Sequence, residues 1–196
     1  MTPNSTYLKV PFEWTSANTR SLTPDPEGAS WKIGETVDEL LDVVSQTLDA
    51  SRDPADASSV AKFGARQAAQ RLLQSPREWK CSYEDDWWKI LTFNGEAAGF
   101  VLPVTYDEEN GSMGTIFHTG LVPRFRSLGL SRLLLRLTVT TLMSAGVLRI
   151  YCDTDASNEP MIRSFTSEGW TRLPVREVPV PVDFAPGEPD ISNDPR

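Results

Sequence analysis

Apolar and polar residues exchange places along Tyr7 to Trp14, the mark of a half-buried strand, which reads here as an edge strand. The rest of the first 30 residues, with Pro3, Pro24 and Pro26, reads as loop. The period then lengthens. Ile33, Val37, Leu40, Leu41, Val44 and Leu48 recur at helical spacing behind a capping box, Thr36 with Glu39. Asp53-Pro54 opens a second helix that runs through Val60, Phe63, Ala68, Leu72 and Leu73 and is expected to stop before Pro76. Strand periodicity returns at Trp87 to Phe93. Asn94-Gly95 is a hairpin turn pair, and the return strand is Ala97 to Tyr106. A polar turn at 107–111 leads to a third strand, Thr115 to Val122, completing an antiparallel meander.

A glycine-containing loop follows, then a helix whose buried stripe is Leu130, Leu133, Leu134, Leu137, Thr141 and Leu142, with Gly146 at its C-cap. Val147 to Cys152 is a short apolar strand. Asn158 or Glu159 opens a helix with Pro160 in its first turn, ending at Gly169. Trp170 to Val180 is a last strand or hairpin interrupted by Pro174 and Pro179. Residues 181–196, rich in proline and acids, read as a loose tail. The order α-α-β-β-β-α-β-α-β implies one α/β or α+β domain with a mixed sheet. Residues 1–30 form an extended N-terminal segment to it, 31–180 are the domain and 181–196 an acidic, proline-rich tail.

Composition narrows the function classes. No apolar run approaches the roughly 18 residues of a membrane span, and the first 20 residues hold no apolar signal core, so the expected location is cytoplasmic. Two cysteines, Cys81 and Cys152, and one histidine argue against a disulfide scaffold or a structural zinc site. A net charge of −8 argues against nucleic-acid binding. Yet from Asn110 to Cys152 there is no acid, while Arg124, Arg126, Arg132, Arg136 and Arg149 fall there. Such a window suits a small anion. Within it, the strand ending at Val122 meets a helix that starts near Gly129. A helix N-terminus presents unpaired N–H groups and positive dipole charge, Gly129 permits close backbone approach, and Ser131, Arg126 and Arg132 add donors. The GxGxxG and GxxxxGK[ST] nucleotide fingerprints are absent.

Val122-Pro123 followed by Arg126-x-x-Gly129-x-Ser131 resembles the acetyl-CoA loop of the Gcn5-related N-acetyltransferases, the GNAT superfamily. Their second motif, an asparagine leading a short helix that ends in Gly-Phe, is matched by Asn158 through Phe165 to Gly169-Trp170. The resemblance spans about residues 30 to 180. It implies a mostly antiparallel mixed sheet flanked by helices and an acetyl-CoA-dependent N-acetyltransferase with no metal. By the same resemblance, Arg126, Ser127, Leu128, Gly129, Leu130 and Ser131 hold the CoA pyrophosphate, largely through backbone N–H groups. Leu121 and Val122 pair with the pantetheine arm, and the Val122 region supplies an oxyanion donor. Asn158 bonds the pantetheine, supports splayed strands or serves as a plain N-cap, and Phe165 packs against the pantetheine end. The acceptor is a small-molecule amine or a protein amino group. No nucleic acid or membrane partner is expected, and homodimerisation is left open.

Two positions depart from the family pattern. Ser131 replaces Gly or Ala. Phe165 stands where many members carry the tyrosine that protonates the departing thiolate, which motivates an alternative, a non-catalytic CoA-binding sensor. His118 is the candidate base: alternation places Ile116, His118, Gly120 and Val122 on one face, and an imidazole with a pKa near 6.5 suits deprotonation of an ammonium. A structural histidine is the plainer alternative. Glu84, Asp85 and Asp86 read as a surface turn, Trp79, Tyr83, Trp87 and Trp88 as packing, Asp153 and Asp155 as turn formers, and Cys152 as an inert buried thiol.

Overall fold

The structure, a computed structural model, describes residues 6–18, 24–34, 36–108 and 111–179. The expected tail at 181–196 lies outside them. Thirteen regular elements follow in order: β1 Thr6–Thr15, β2 Ala29–Ile33, α1 Val37–Leu48, α2 Pro54–Phe63, α3 Ala65–Glu78, β3 Lys89–Phe93, β4 Glu96–Glu108, β5 Gly111–Leu121, α4 Ser131–Ser144, β6 Arg149–Asp155, α5 Glu159–Ser167, β7 Thr171–Arg172 and β8 Arg176–Pro179. A 3-10 turn, Pro123–Phe125, links β5 to α4.

The strands form one eight-stranded sheet in the order β2-β3-β4-β5-β6-β1-β7, with β8 also on β1. All pairings are antiparallel except β5 with β6, which is parallel and registers only at Gly114 opposite Ile150. The meander β3-β4-β5 is as expected, and its Asn94-Gly95 turn has φ of 51° and 84°, as a type I′ hairpin requires. One apolar cluster joins α1, α3 and the start of α4 to β3 and β4. A second joins β1 and β6 to the rest of α4 and to α5. Among the described residues no helix is long and apolar enough to cross a membrane.

Four expectations are corrected. The first strand is not an edge: β1 lies between β6 on one side and β7 and β8 on the other, so residues 6–15 belong to the folded unit. Residues 29–33 form β2, with Trp31 opposite Leu91, where residues 29 and 30 are expected as loop and Ile33 as part of the first helix's apolar stripe. The second helix is broken in two at Gly64, which at φ 77° closes α2 through its N–H to Val60 and starts α3 by accepting from Ala68. Pro76 does not stop α3. It sits in the last turn, where its carbonyl accepts Cys81 N–H while Lys80 N–H reaches Arg77, and Lys80 at φ 57° takes the left-handed cap position.

Candidate functional site

The turn from β5 into α4 leaves much of its backbone without internal hydrogen bonds. Ser127 and Gly129 hold φ of 65° and 75°, which turns successive peptide groups the same way. Helix α4 begins without a side-chain cap. The N–H groups of Ser127, Leu128, Gly129, Leu130, Ser131 and Arg132 find no acceptor among the described residues. Ser127 and Leu128 are exposed and Gly129 and Ser131 half-exposed, whereas Leu130 is buried and anchors the turn to the core. A row of unpaired donors at the positive end of a 14-residue helix is a ready anion site.

The side chains around this turn differ from expectation in three ways. Arg124, Arg136 and Arg149 are neutralised by acids from outside the window, Glu96, Glu168 with Asp25, and Glu13. Of the five window arginines, Arg126 and Arg132 have no acidic partner among the described residues. Arg132 folds its Nε back to the Gly129 carbonyl, 3.3 Å away. Arg126 donates to the carbonyls of Leu121 (3.1 Å) and Ala50 (2.9 Å), pinning the turn to the end of α1. Burial, and then the neighbouring cation Arg52, lower its pKa. Finally, the Ser131 hydroxyl is not offered to a ligand. Ser164 gives its proton to Pro160, so Ser131 donates to Ser164 at 2.7 Å and ties α4 to α5.

Strand β5 leads into the turn with one edge open. Its pairing with β4 runs from Gly111 to Leu121, but beyond Gly114 its other edge has no strand neighbour among the described residues. The free edge of β5 and the open N–H groups from Ser127 to Arg132 lie on either side of the internally bonded 3-10 turn Pro123–Phe125. Val122 lies just before that turn, buried, but its own N–H is spent on Ala98 at 2.9 Å, so it is not the oxyanion donor. Asn158 caps α5, its Oδ1 accepting weakly from Met161 N at 3.4 Å. Its amide nitrogen is unengaged within the described residues. Phe165 is 1% exposed, stacked on Phe12 (centroids 4.4 Å apart) and edge-on to Trp170.

His118 faces α1 and α2. The expected alternation fails one residue earlier: Leu102 pairs with His118 but Pro103 with Ile116, so Phe117 is bulged and Ile116 turns to the opposite face. The His118 ring stacks on Phe100 (5.7 Å), and its Nε2 lies 3.0 and 3.3 Å from the two oxygens of Asp56. Asp56, in the first turn of α2, is buried, and Ser51 Oγ also donates to it. Lys9 on β1 bridges Asp53 (2.7 Å) and Asp153 (3.6 Å) nearby. For His118, burial works to lower the pKa, but Asp56, helped by Asp53, overcomes it and the net shift is upward. For Asp56, burial works to raise the pKa, but His118, Ser51 and Lys9 bring it below the usual carboxylate value.

Asp56 escaped the sequence reading because a carboxylate behind Asp53-Pro54 looks like an ordinary helix-start acid. The remaining candidates take structural roles. Glu84, Asp85 and Asp86 form an exposed turn. Tyr83 stacks on Trp88, and Trp79 packs edge-on to Phe117. Asp155 caps Ser157, whereas Asp153, expected in a turn, pairs with Lys9 and Arg176. Burial raises the Cys152 thiol well above its ordinary pKa.

The acetyltransferase (GNAT) family pattern matches residues 58–170, more than half of the chain. Among solved structures, a GNAT-family acetyltransferase from Colwellia psychrerythraea superposes with a TM-score of 0.59 at 10% identity, covering 88% of this chain and 55% of its own. The GCN5-related N-acetyltransferase from Sphaerobacter thermophilus gives 0.53 at 13% identity, covering 89% and 52%. PH1933 from Pyrococcus horikoshii OT3 gives 0.54 at 12% identity, covering 76% and 98%. At such identities the likeness is one of fold, and the chain spans about half the length of the first two. No curated protein matches it in sequence. The family pattern spans the open turn, the free strand edge and the capped α5 alike: this chain belongs to the GNAT acetyltransferase family.

Proposed function

We propose that this protein moves an acetyl group from acetyl-CoA to a primary amine by direct attack of the amine on the thioester. The observation that carries the reading is the row of unpaired N–H groups from Ser127 to Arg132 beside the open edge of β5. Acetyl-CoA, as cosubstrate, supplies the activated acyl group. The turn and the α4 dipole would hold its pyrophosphate, with Arg132, Arg126 and Arg52 adding positive charge. The free β5 edge at Leu121 would pair with the amide groups of its pantetheine arm. The Asn158 amide would flank that arm from α5, whereas Phe165, expected against the pantetheine, is spent in the core on Phe12 and Trp170. Backbone donors along the open edge would stabilise charge developing on the carbonyl oxygen, and His118 would take a proton from the acceptor ammonium. Holding both reactants in one cleft supplies orientation, the largest contribution such a site makes without a covalent intermediate.

The test is calorimetric titration with acetyl-CoA, followed by thiol release with a panel of amines: spermidine, tyramine, glucosamine and a peptide with a free N-terminus. Micromolar binding with turnover of at least one amine is expected, and His118→Ala should cut kcat by about 10²-fold without changing acetyl-CoA affinity. Absence of acetyl-CoA binding would overturn the reading. Binding without turnover of any amine would point instead to a CoA sensor.

A further inference from the structure

The contact between β5 and α2 restricts His118 more tightly than burial alone. Asp56 has both oxygens within 3.3 Å of Nε2, and Ser51 Oγ donates to Oδ2 of the same carboxylate. An ionised carboxylate only accepts hydrogen bonds. Nε2 must therefore carry a proton whether the ring is neutral or charged. The other nitrogen, Nδ1, is buried and has no hydrogen-bond partner among the described residues. Buried polar atoms are almost always satisfied, and an exception beside an open strand edge asks for a partner from outside the chain. Stacking on Phe100 holds the ring plane.

We propose that Asp56 is the positioning residue of the reaction: by accepting the Nε2 proton it fixes the ring and its tautomer, and makes Nδ1 the atom that exchanges a proton with the acceptor amine. The inference rests on the reading of His118 as base. The proton balance closes. The acceptor ammonium gives one proton to Nδ1. The freed amine forms a bond to the thioester carbon as the C–S bond breaks, and the nitrogen sheds its second proton. One of the two protons ends on the CoA sulfur and the other in solvent. Phe165 has no proton to offer, so Nδ1–H is also the donor this proposal assigns to the thiolate. The charged groups facing the ring are Asp56 and Asp53 from α2 and Lys9 from β1. The two carboxylates favour the imidazolium and Lys9 opposes it.

His118 is the only histidine of the chain, so one set of imidazole resonances reports on it. Nitrogen-15 NMR of the full chain labelled at histidine, titrated from pH 5 to 10, should show a neutral ring protonated at Nε2 and bare at Nδ1. Its ionisation should lie above that of free histidine. Asp56→Asn should give a tautomer mixture, an ionisation at lower pH and a parallel shift in the pH–rate profile. With the panel amine turned over fastest, kcat should fall by about 10²-fold with the KM for acetyl-CoA unchanged. Ser51→Ala keeps the carboxylate but frees it of one donor, so the imidazolium is held more tightly and the ionisation should shift by less and upward, which serves where Asp56→Asn does not fold. A wild-type ring protonated at Nδ1 overturns the proposal, as does a pH profile unmoved in both variants. If His118→Ala remains fully active, the base assignment itself fails. If His118→Ala is slow while the wild-type ring carries its proton on Nδ1, only the role of Asp56 fails.

Discussion

Gly129→Glu tests the anion turn where the structure allows the effect to be divided into parts. Gly129 sits at φ 75°, so any side chain there costs about 1 kcal/mol of backbone strain. A Cβ would meet only the guanidinium of Arg132, at 3.3 Å, the movable end of a flexible side chain. Steric cost is therefore small, and Gly129→Ala isolates the strain. For a protein of this size it should lower the melting temperature by about 2–4 °C while leaving the N–H groups in place. Glutamate adds charge. A carboxylate about 5 Å from a pyrophosphate of two negative charges is repelled by about 1.7 kcal/mol even at the dielectric of bulk water, and by more at a partly shielded helix end. The dissociation constant for CoA should rise by about tenfold or more over that of Gly129→Ala. Calorimetric titration at low and at high salt measures this, with thermal melts to confirm folding. The penalty should shrink as salt screens it. A folded Gly129→Glu variant that binds CoA within twofold of Gly129→Ala would show that the phosphates lie elsewhere.

Two further substitutions discriminate less directly. Arg126→Ala removes a cation and two hydrogen bonds to carbonyls at once, so CoA binding should weaken a few-fold, more at low salt, with a melting temperature lower by several degrees; calorimetry and melts read both. Phe165→Tyr introduces a hydroxyl between Phe12 and Trp170, where an unmet polar group costs about 1–3 kcal/mol, so melting should drop with turnover unraised. A rise in turnover at unchanged stability would instead place the CoA sulfur against that ring.

Local chemistry was legible in the chain and distant pairing was not. Asn94-Gly95 and the Val122 to Ser131 turn carry their signal within a few residues and form as expected. The α4 stripe is buried at Leu130, Leu133, Leu134 and Leu142 but also at Leu135, Thr138 and Val139, with the expected Leu137 and Thr141 only half-buried, because the helix packs against both apolar clusters. The interior place of β1 depends on β6, more than 130 residues away in register, and alternation in one strand says nothing about its neighbours. Segment 29–33 is too short to signal itself and becomes a strand because β3 offers it an edge. The Phe117 bulge, invisible to a period-two count, moved Ile116 off the His118 face. The arginine window showed the opposite failing: its charge was real along the chain and largely cancelled in space by Glu13, Asp25, Glu96 and Glu168. Asp56 combines both limits, a residue of ordinary local role that folding sets against a histidine 62 positions later.

That pairing makes stability and activity run against each other with pH. His118 has a folded-state pKa raised above 6.5, so its contribution to stability is complete below the unfolded value and is lost as pH rises through the folded one. Asp56 has a pKa lowered below 3.8, so its contribution is present above that value and is lost as pH falls through the folded one. The ion pair thus stabilises most between about pH 4 and 6.5 and fades on the alkaline side. A base must be unprotonated to work, so the rate should climb through the same alkaline ionisation at which the stabilisation disappears. Melting temperatures of the wild type and of His118→Gln, taken from pH 4.5 to 9.5, should differ most near pH 5 to 6 and converge above neutrality. The wild-type pH–rate profile should rise over the interval in which the melts converge. A stability difference that stays constant or grows above pH 7 would mean that the ring is neutral throughout the range. The contact with Asp56 would then be a hydrogen bond rather than an ion pair, and the rate would show no ionisation above that of free histidine.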